Sequence, residues 1–182
     1  MRGKECDSKT NLPQKARDHF FGLQEAKKDL VGVALFDRLD KNLQEGTPLL
    51  EMMWRRREIE NYLCLPEVLL AYARHDIEDD LFGRAEAVRR EQAMRESIQE
   101  LATALKTLRK PEPWSPDIKA TDDFLDPLFE KYFEKLDLPN LLLKTDYHVL
   151  ARLVPQEKID PEVTQKLDAI VQVAANAKPR MD

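Results

Sequence analysis

The charged side chains at residues 54–64 form the densest group of chemically active residues in this chain. The stretch reads WRRREIENYLC, with three arginines at 55–57 directly before Glu58 and Glu60. If the backbone around the glutamates is extended, their side chains point the same way and could share one cation, because strand side chains alternate. In a helix they diverge by about 200° and serve different partners. The spacing alone leaves both arrangements open.

The arginine run has two interpretations as well. The guanidinium groups would neutralise the neighbouring carboxylates or bind the phosphates of a nucleic-acid backbone. A solvent-exposed run of like charges is the commoner case. The net charge of −5 argues against a generally basic surface for nucleic acid, but a local patch that includes Arg56 and Arg57 still suits phosphate.

Two aspartates follow the apolar run VGVALF at residues 31–36. Asp37 comes directly after the run, and Asp40 follows three residues later. Open α/β sheets place ligand chemistry at the carboxyl ends of their parallel strands, and carboxylates at such a place suit Mg²⁺. The alternative is a solvated acidic loop, which the spacing does not exclude.

The sequence predicts that these residues are positioned by an α/β, helix-rich fold with a partial parallel sheet. The apolar, β-branched run at 31–36 predicts a buried strand. The stretch LLEMMW at 49–54 predicts a second short strand, with helix as the alternative. The charged segment 37–48, which contains a glycine and a proline, is typical of a loop.

The rest of the chain is predicted to be mainly helical. The long helix carries one apolar seam, which favours core packing, with a coiled-coil surface as the alternative. Two domains follow from these patterns, an α/β segment at 1–75 and a helical segment at 76–182 packed on it, and a single domain is the alternative. The predicted helices are 13–30, 66–74, 84–110, 126–136 and 160–177. Asp-Pro pairs open the last two, so Asp126 is predicted as an N-cap, and the aromatic residues of 126–136 are expected to belong to the core.

Composition narrows the class of protein. The chain has 182 residues, of which 35% are charged and 42% apolar, and this suits a helix-rich globular protein. No apolar run approaches the roughly 20 residues of a membrane span, and the N-terminus lacks the apolar core of a signal peptide. Two cysteines form neither a zinc spacing nor a disulfide framework, so a cytoplasmic setting is expected. The sequence leaves the oligomeric state open.

The segments VGVALFDRLD, WRRREIENYL and PEVLLAYAR together resemble the later half of a Toprim domain. The specific likeness is to the C-terminal Toprim region of overcoming-lysogenization-defect (OLD) family proteins, which join an ATPase to a metal-dependent nuclease. The closing stretch KTDYHVLARLVPQEKIDPEVTQKLDAIVQVA resembles the same family through weaker motifs. The resemblance covers about residues 15–175.

The resemblance implies a set of metal ligands. Asp37 matches the first aspartate of the Asp-x-Asp motif that ends a family strand. Glu60 matches an acidic position near the metals, and Glu58 is a weaker candidate. The implied cofactor is Mg²⁺ or Mn²⁺, held by carboxylates that activate water for phosphodiester hydrolysis.

The resemblance also implies residues that bind the reacting phosphate. Lys144, in LLLKTDYHVL, is near the place where the family has a lysine beside that phosphate. Arg56 and Arg57 would bind phosphates of a DNA substrate. The implied activity is that of a magnesium-dependent DNA endonuclease.

The chain departs from the family pattern in two ways. Leu39 stands where the second aspartate of the motif belongs, with Asp40 as its nearest substitute. Only about 30 residues precede the first strand, and no apolar run among them matches the family strand that carries a catalytic glutamate. The phosphate-binding motif of the ATPase is absent too. These departures indicate an excerpt or a shortened relative, whose ATPase domain or subunit would be supplied by another chain.

Three functions therefore remain under consideration. The first is a partial Toprim-like nuclease domain, weak or inactive alone. The second is a non-catalytic helical protein-interaction module that keeps the Toprim remnant as a scaffold. The third is DNA binding through the arginine run without cleavage.

Overall fold

The computed structural model describes residues 12–44, 46 and 48–179, and these form two compact units. Unit 1 comprises residues up to Arg55 and again from Asp160, and unit 2 comprises Arg56–Ile159. The chain thus leaves unit 1 after its second strand and returns for its last helix. The elements in chain order are α1 (Leu12–Ala26), β1 (Gly32–Phe36), β2 (Leu49–Met53), α2 (Pro66–Arg74), α3 (Leu81–Thr107), α4 (Asp126–Lys135), α5 (His148–Arg152) and α6 (Pro161–Ala175).

Unit 1 contains the predicted parallel strand pair. β1 and β2 pair in parallel from Gly32 with Leu49 to Phe36 with Met53. Trp54 extends the strand pairing by one residue, since its backbone N–H donates to the Phe36 carbonyl oxygen at 3.0 Å. The prediction of two short parallel strands in a helix-rich α/β fold is confirmed.

Helices α1 and α6 both contact β1 within unit 1. The absence of a side chain at Gly32 makes room for α1, because a Cβ there would lie 2.9 Å from a ring carbon of Phe20. Asp160 is the N-cap of α6, and its carboxylate accepts the N–H of Glu162 at 2.9 Å. A helix opening after Asp160 agrees with the predicted Asp-Pro start.

A buried ion pair joins α1 to β2. The Glu51 side chain is 2% exposed, and its Oε2 accepts from Arg17 Nη2 at 2.7 Å while Oε1 accepts from Arg17 Nε. The backbone N–H of Gln44 donates to the same carboxylate at 3.0 Å. Hydrogen bonding by Arg17 holds the pKa of Glu51 below its usual range.

Acid should therefore destabilise unit 1 through Glu51. Because the folded pKa lies below the unfolded one, the stabilisation is complete above the unfolded value of about 4.3 and is lost as pH falls through the folded pKa. We expect the free energy of unfolding to fall with acidification below about pH 4.5, and Glu51→Gln to flatten this part of the profile. Denaturant unfolding from pH 7 to 3, read from Trp54 in a Trp114→Phe background, measures it. An unchanged profile in Glu51→Gln would contradict the assignment.

Unit 2 is a helical body with an aromatic core. Its largest fully buried side chains come mainly from α2, from α4 and from the turn before α4. Phe129 lies at the centre of this core, with its ring 5.1 Å from Tyr72 and 6.2 Å from Tyr147, centroid to centroid. Aromatic pairs at such distances add to the stability given by burial alone. The prediction that the aromatic residues of 126–136 belong to the core fits this arrangement.

Two details of unit 2 differ from expectation. Asp126 was predicted as an N-cap, but residues Ala120–Leu125 form a π-helix that runs directly into α4, so Asp126 lies inside continuous helical backbone. Its carboxylate accepts instead from the Tyr147 hydroxyl. The compact units also divide the chain at 55/56 and 159/160 rather than at 75/76, because α2 packs with the helices that follow it and α6 packs on β1.

Candidate functional site

The turn that follows β2 decides what the two glutamates of WRRREIENYLC do. Glu58 is extended, with φ −138° and ψ 157°, and Ile59–Tyr62 form one turn of 3₁₀-helix. The two carboxylates consequently meet different partners. Neither of the two simple geometries considered from the sequence, fully extended or fully α-helical, describes the segment.

Glu58 has a structural partner in the chain. Its side chain is buried, and Oε2 accepts the N–H of Thr121 at 3.1 Å. Its own N–H donates to Asn61 Oδ1 at 2.8 Å. A carboxylate that bonds a buried backbone amide satisfies that donor and fixes the approach of the two segments. Glu58 therefore ties the turn to the π-helix that precedes α4.

Asn61 also connects the turn after β2 to the segment that precedes α4. The residue is 1% exposed, and its Nδ2 donates to the carbonyl oxygens of Ser115 and Ile118, each at 3.1 Å. With the bond from Glu58 N–H, every donor and acceptor of the Asn61 amide side chain serves the backbone. The asparagine of REIENYL thus holds the 115–118 loop against the turn.

Glu60 and Lys144 are brought together within unit 2. Lys144 Nζ lies 3.4 Å from Glu60 Oε1, although the two residues are far apart in sequence. The glutamate side chain is 14% exposed and that of the lysine 58%. This is a contact between one predicted metal ligand and one predicted phosphate-binding residue. It leaves the lysine at the surface, where a phosphate could reach it.

The surroundings of Glu60 are apolar and partly titratable. The backbone carbonyl of Glu60 accepts a weak hydrogen bond from Cys64 Sγ at 3.6 Å. Burial raises the pKa of the Cys64 thiol to about 12, so the thiol stays protonated at neutral pH and is a poor nucleophile. Burial and its bond to Asp126 also raise the pKa of Tyr147. These groups act as neutral packing beside Glu60.

The arginines of the run diverge. Arg55 belongs to unit 1, where its N–H donates to Glu162 Oε1 at 3.0 Å and its Nε lies 3.1 Å from Glu162 Oε2. Arg56 lies over the Tyr62 ring, 4.8 Å from its centroid, and donates to the Asn61 carbonyl at 3.2 Å. Arg57 Nη1 donates to the carbonyl oxygen of Asp117 at 3.2 Å. The run therefore supplies three separate contacts to the fold.

The two aspartates after β1 are exposed and lie in unit 1. Asp37 directly follows the last residue of the strand, as predicted, and Asp40 lies in the loop beyond it. Glu58, Glu60 and Lys144 lie in unit 2. If Asp37 and Glu60 share ions or a bridging water, their carboxylates lie within about 8 Å of each other, and this proximity is a prediction.

The acidic residues are of the type that binds a divalent ion, but among the described residues they do not form a complete ligand shell. Carboxylate oxygens are the ligands that Mg²⁺ prefers, and Asp37 and Glu60 offer them. Within the part of the chain that the structure describes, however, no group of three or more His, Cys, Asp or Glu side chains is placed to hold a metal ion. Glu58, moreover, is already used by the Thr121 amide. No catalytic step through a metal follows from this arrangement.

Comparison with known proteins adds no family. No family model, curated protein or solved structure matched the chain. The described helices include none that is both long and apolar enough to cross a membrane. The resemblance to Toprim and OLD proteins accordingly remains a hypothesis that rests on the quoted motifs.

Sequence reasoning missed the residues that hold the 54–62 segment in place. Thr121, Ser115 and Ile118 provide backbone partners for Glu58 and Asn61 from a loop that contains no recognisable motif. The sequence signal available was the glutamate three residues before an asparagine, a spacing that favours reciprocal capping at the start of a helical turn. The remote partners left no local signal.

Proposed function

We propose that the chain forms the Toprim-like part of an OLD-type, divalent-metal-dependent DNA nuclease and that it cuts DNA weakly or not at all by itself. The observation that carries this proposal is the contact of Glu60 with Lys144, 3.4 Å apart. The motifs assigned both residues to one site before any geometry was considered, and they are distant in sequence.

The strand pair supports the same proposal. β1 and β2 run parallel, and Asp37 follows the carboxyl end of β1 while the WRRREIENYL motif follows β2. Ligand chemistry in open parallel sheets is found at that edge. The proposal requires further carboxylates, since the described residues do not assemble a full ligand shell.

The proposal has consequences for partners and setting. DNA is the substrate, with phosphates bound by Lys144 and, after rearrangement of their present contacts, by Arg56 and Arg57. An ATPase domain or subunit supplied by another chain completes the functional protein. A cytoplasmic location, expected from the sparse cysteines, belongs to the same proposal.

We expect the isolated chain to nick supercoiled plasmid DNA inefficiently in Mg²⁺ or Mn²⁺. Each missing carboxylate removes a charged ligand that Mg²⁺ has few substitutes for. The measurement is a plasmid-nicking assay with the wild type and with the Asp37→Ala and Glu60→Ala variants. Asp168→Ala is the matched control, because Asp168 is an exposed aspartate of α6 outside the proposed site.

The variants separate the outcomes. Residual nicking that both site variants abolish, and that Asp168→Ala retains, supports the nuclease proposal. Robust nicking by the wild type would show that the chain contains a complete site. Nicking that persists in both site variants would rule out Asp37 and Glu60 as its source.

A non-catalytic scaffold is the second candidate function, and it too has an observation in its favour. The most specific motif of the chain uses Glu58 and Asn61 to fasten backbone segments, which is what a retained scaffold would do. Titration with Mn²⁺ distinguishes the two candidates, because the scaffold predicts no binding that depends on Asp37 or Glu60. Selective paramagnetic broadening of the NMR signals of Asp37 and Glu60 by Mn²⁺ would show that the ion binds beside them. This result would eliminate the scaffold as the function.

A further inference from the structure

A cavity of about 150 Å³ lies in unit 2, beside the C-terminal ends of α2 and α4. Its floor is made of buried side chains, among them Tyr132, Phe133 and Leu136. Its rim is made of exposed residues, including His75 and Leu141. A floor of buried side chains with an accessible rim gives a small ligand a place to bind. None of these residues belongs to the proposed nuclease site.

The floor contains a tyrosine hydroxyl without a protein partner among the described residues. Tyr132 is 2% exposed, and its hydroxyl makes no hydrogen bond with any residue in the described ranges. Burial raises the pKa of Tyr132 to about 12, so the group is a protonated donor at neutral pH. The hydroxyl is therefore available to donate to a ligand in the cavity.

One wall of the cavity contains an arginine whose guanidinium group has N–H donors that no acceptor in the described part of the chain uses. Arg90 lines the cavity, and its Nε donates to Glu86 Oε1 at 2.7 Å. Its terminal nitrogens form no hydrogen bond with residues for which the structure gives a position. An arginine of this kind presents further N–H groups to a planar anion.

The charge balance on the turn of α3 that carries Arg90 is positive. Glu86 also accepts from Arg89 Nε and Nη2, at 2.8 and 2.9 Å, and these bonds lower the pKa of Glu86 to about 2. One ionised carboxylate thus faces two guanidinium groups, which leaves one net positive charge on this turn of α3. Arg90 is the member of the group that lines the cavity.

We propose that this cavity binds a small aromatic or branched carboxylate, with its apolar part on the Phe133 and Leu136 floor and its carboxylate on Arg90 and the Tyr132 hydroxyl. The volume supports the size, because a cavity of about 150 Å³ accepts a molecule the size of benzene. Two donors on one side and hydrocarbon on the other match an amphiphilic anion.

A cationic ligand fits these surroundings less well. Arg90 would repel it at the wall of the cavity. Asp76 contributes a carboxylate to the rim, but its side chain is 83% exposed and is already paired with His75 Nδ1, at 2.8 Å. The C-terminal ends of α2 and α4 carry partial negative charge, yet this effect is confined to the last turn and is screened at the surface.

The test uses three probes that separate charge from shape. Benzoate has both the ring and the carboxylate, benzyl alcohol has the ring alone, and acetate has the carboxylate alone. We expect amide shifts in ¹H–¹⁵N NMR titrations of the full chain to map to the ends of α2 and α4. Benzoate should bind at least tenfold more tightly than either of the other two probes.

Three variants test the assigned contacts. Arg90→Gln should weaken benzoate binding at least tenfold, and Tyr132→Phe, which keeps the ring, about threefold to tenfold, as hydrogen bonds to a charged and a neutral donor imply. Arg89→Gln is the matched control, because Arg89 shares Glu86 without lining the cavity, and it should change binding less than twofold. Circular dichroism verifies the fold of each variant.

The outcomes are distinct from those of the nuclease assay. Absence of benzoate binding, or shifts that map elsewhere, would overturn the proposal. Equal binding of benzoate and benzyl alcohol would overturn the carboxylate assignment, and an equal loss in Arg89→Gln and Arg90→Gln would show a general charge effect instead of a site. Binding with the expected pattern supports the proposal whether or not the chain cuts DNA.

Discussion

Replacing Phe129 by alanine is expected to lower the stability of unit 2 by about 3–5 kcal/mol, the usual cost of removing a large aromatic side chain from a core. Phe129 is 0% exposed, and its ring contacts those of Tyr72, Tyr132 and Tyr147. The substitution removes the transfer free energy of the ring and leaves a cavity that these neighbours cannot fill without leaving their own positions.

The two tryptophans allow this loss to be assigned to one unit. Trp54 lies in unit 1 and Trp114 in unit 2, so urea unfolding in a Trp54→Phe background reports unit 2 alone. Phe82→Ala is the matched control, because Phe82 is 82% exposed at the start of α3 and its loss should cost less than about 0.5 kcal/mol. Similar losses in both variants would contradict the packing described for Phe129.

Asn61→Ala is expected to destabilise unit 2 by about 2–4 kcal/mol. The substitution leaves the Glu58 N–H and the Ile118 carbonyl oxygen without a partner, and the Ser115 carbonyl oxygen keeps only the Ile118 N–H, at 3.4 Å. Each unpaired buried group costs about 1–3 kcal/mol where water cannot replace the bond. The measurement is the same urea unfolding of the Trp54→Phe background.

Two further substitutions define the cause. Asn61→Asp keeps the acceptor for the Glu58 N–H but loses both donors and places a charge beside two carbonyl oxygens, so it should cost as much as alanine. Asn140→Ala is the control, since Asn140 is exposed and bonds only the nearby Leu142 N–H. If Asn61→Ala lowers the free energy of unfolding by less than about 1 kcal/mol, water reaches these groups and the Asn61 hydrogen bonds are not buried.

The strands and most helices were predictable because their signals are local. The apolar run at 31–36 and the shorter one at 49–54 correspond to β1 and β2, and the charged stretch between them is a loop. Pro66 and the Asp160–Pro161 pair each open a helix within one residue of the predicted start. In these places the period of the apolar residues and the capping residue agree with the final packing.

The same local rules failed where packing decides the backbone. The Asp-Pro pair at 126–127 has the same signature as the pair at 160–161, but the preceding ATDDFL segment is drawn into a π-helix whose Ala120, Thr121, Phe124 and Leu125 are all buried. A helix that begins upstream leaves Asp126 no terminus to cap. The predicted helix at 13–30 ends at Ala26, because Lys27–Leu30 form a turn that leads into β1.

The candidate site was predictable in composition but not in geometry. Whether Glu58 faces a metal or a backbone amide depends on Thr121, which is 63 residues away in sequence and carries no motif. Glu60 and Lys144 were assigned to the same candidate site only through the family resemblance, since spacing gives no information on residues in separate elements, and their contact was not predicted. The cavity below Arg90 was not foreseen, because three helices that are distant in sequence form it.

Because unit 1 is built from two separate parts of the chain, its assembly carries an entropy cost of loop closure. To place α6 on β1, the chain must close a loop that contains all of residues 56–159, and Arg55 meets Glu162 and Asp160 where that loop begins and ends. The entropy of closing a flexible loop rises with the logarithm of its length, by about 0.6 kcal/mol for each doubling. Once residues 56–159 have become compact, the effective length is set by the distance between their ends and no longer by their number. Lengthening a surface loop in the inserted body, for example at 75–80, therefore adds almost nothing to the cost of assembling the β1–α6 pair.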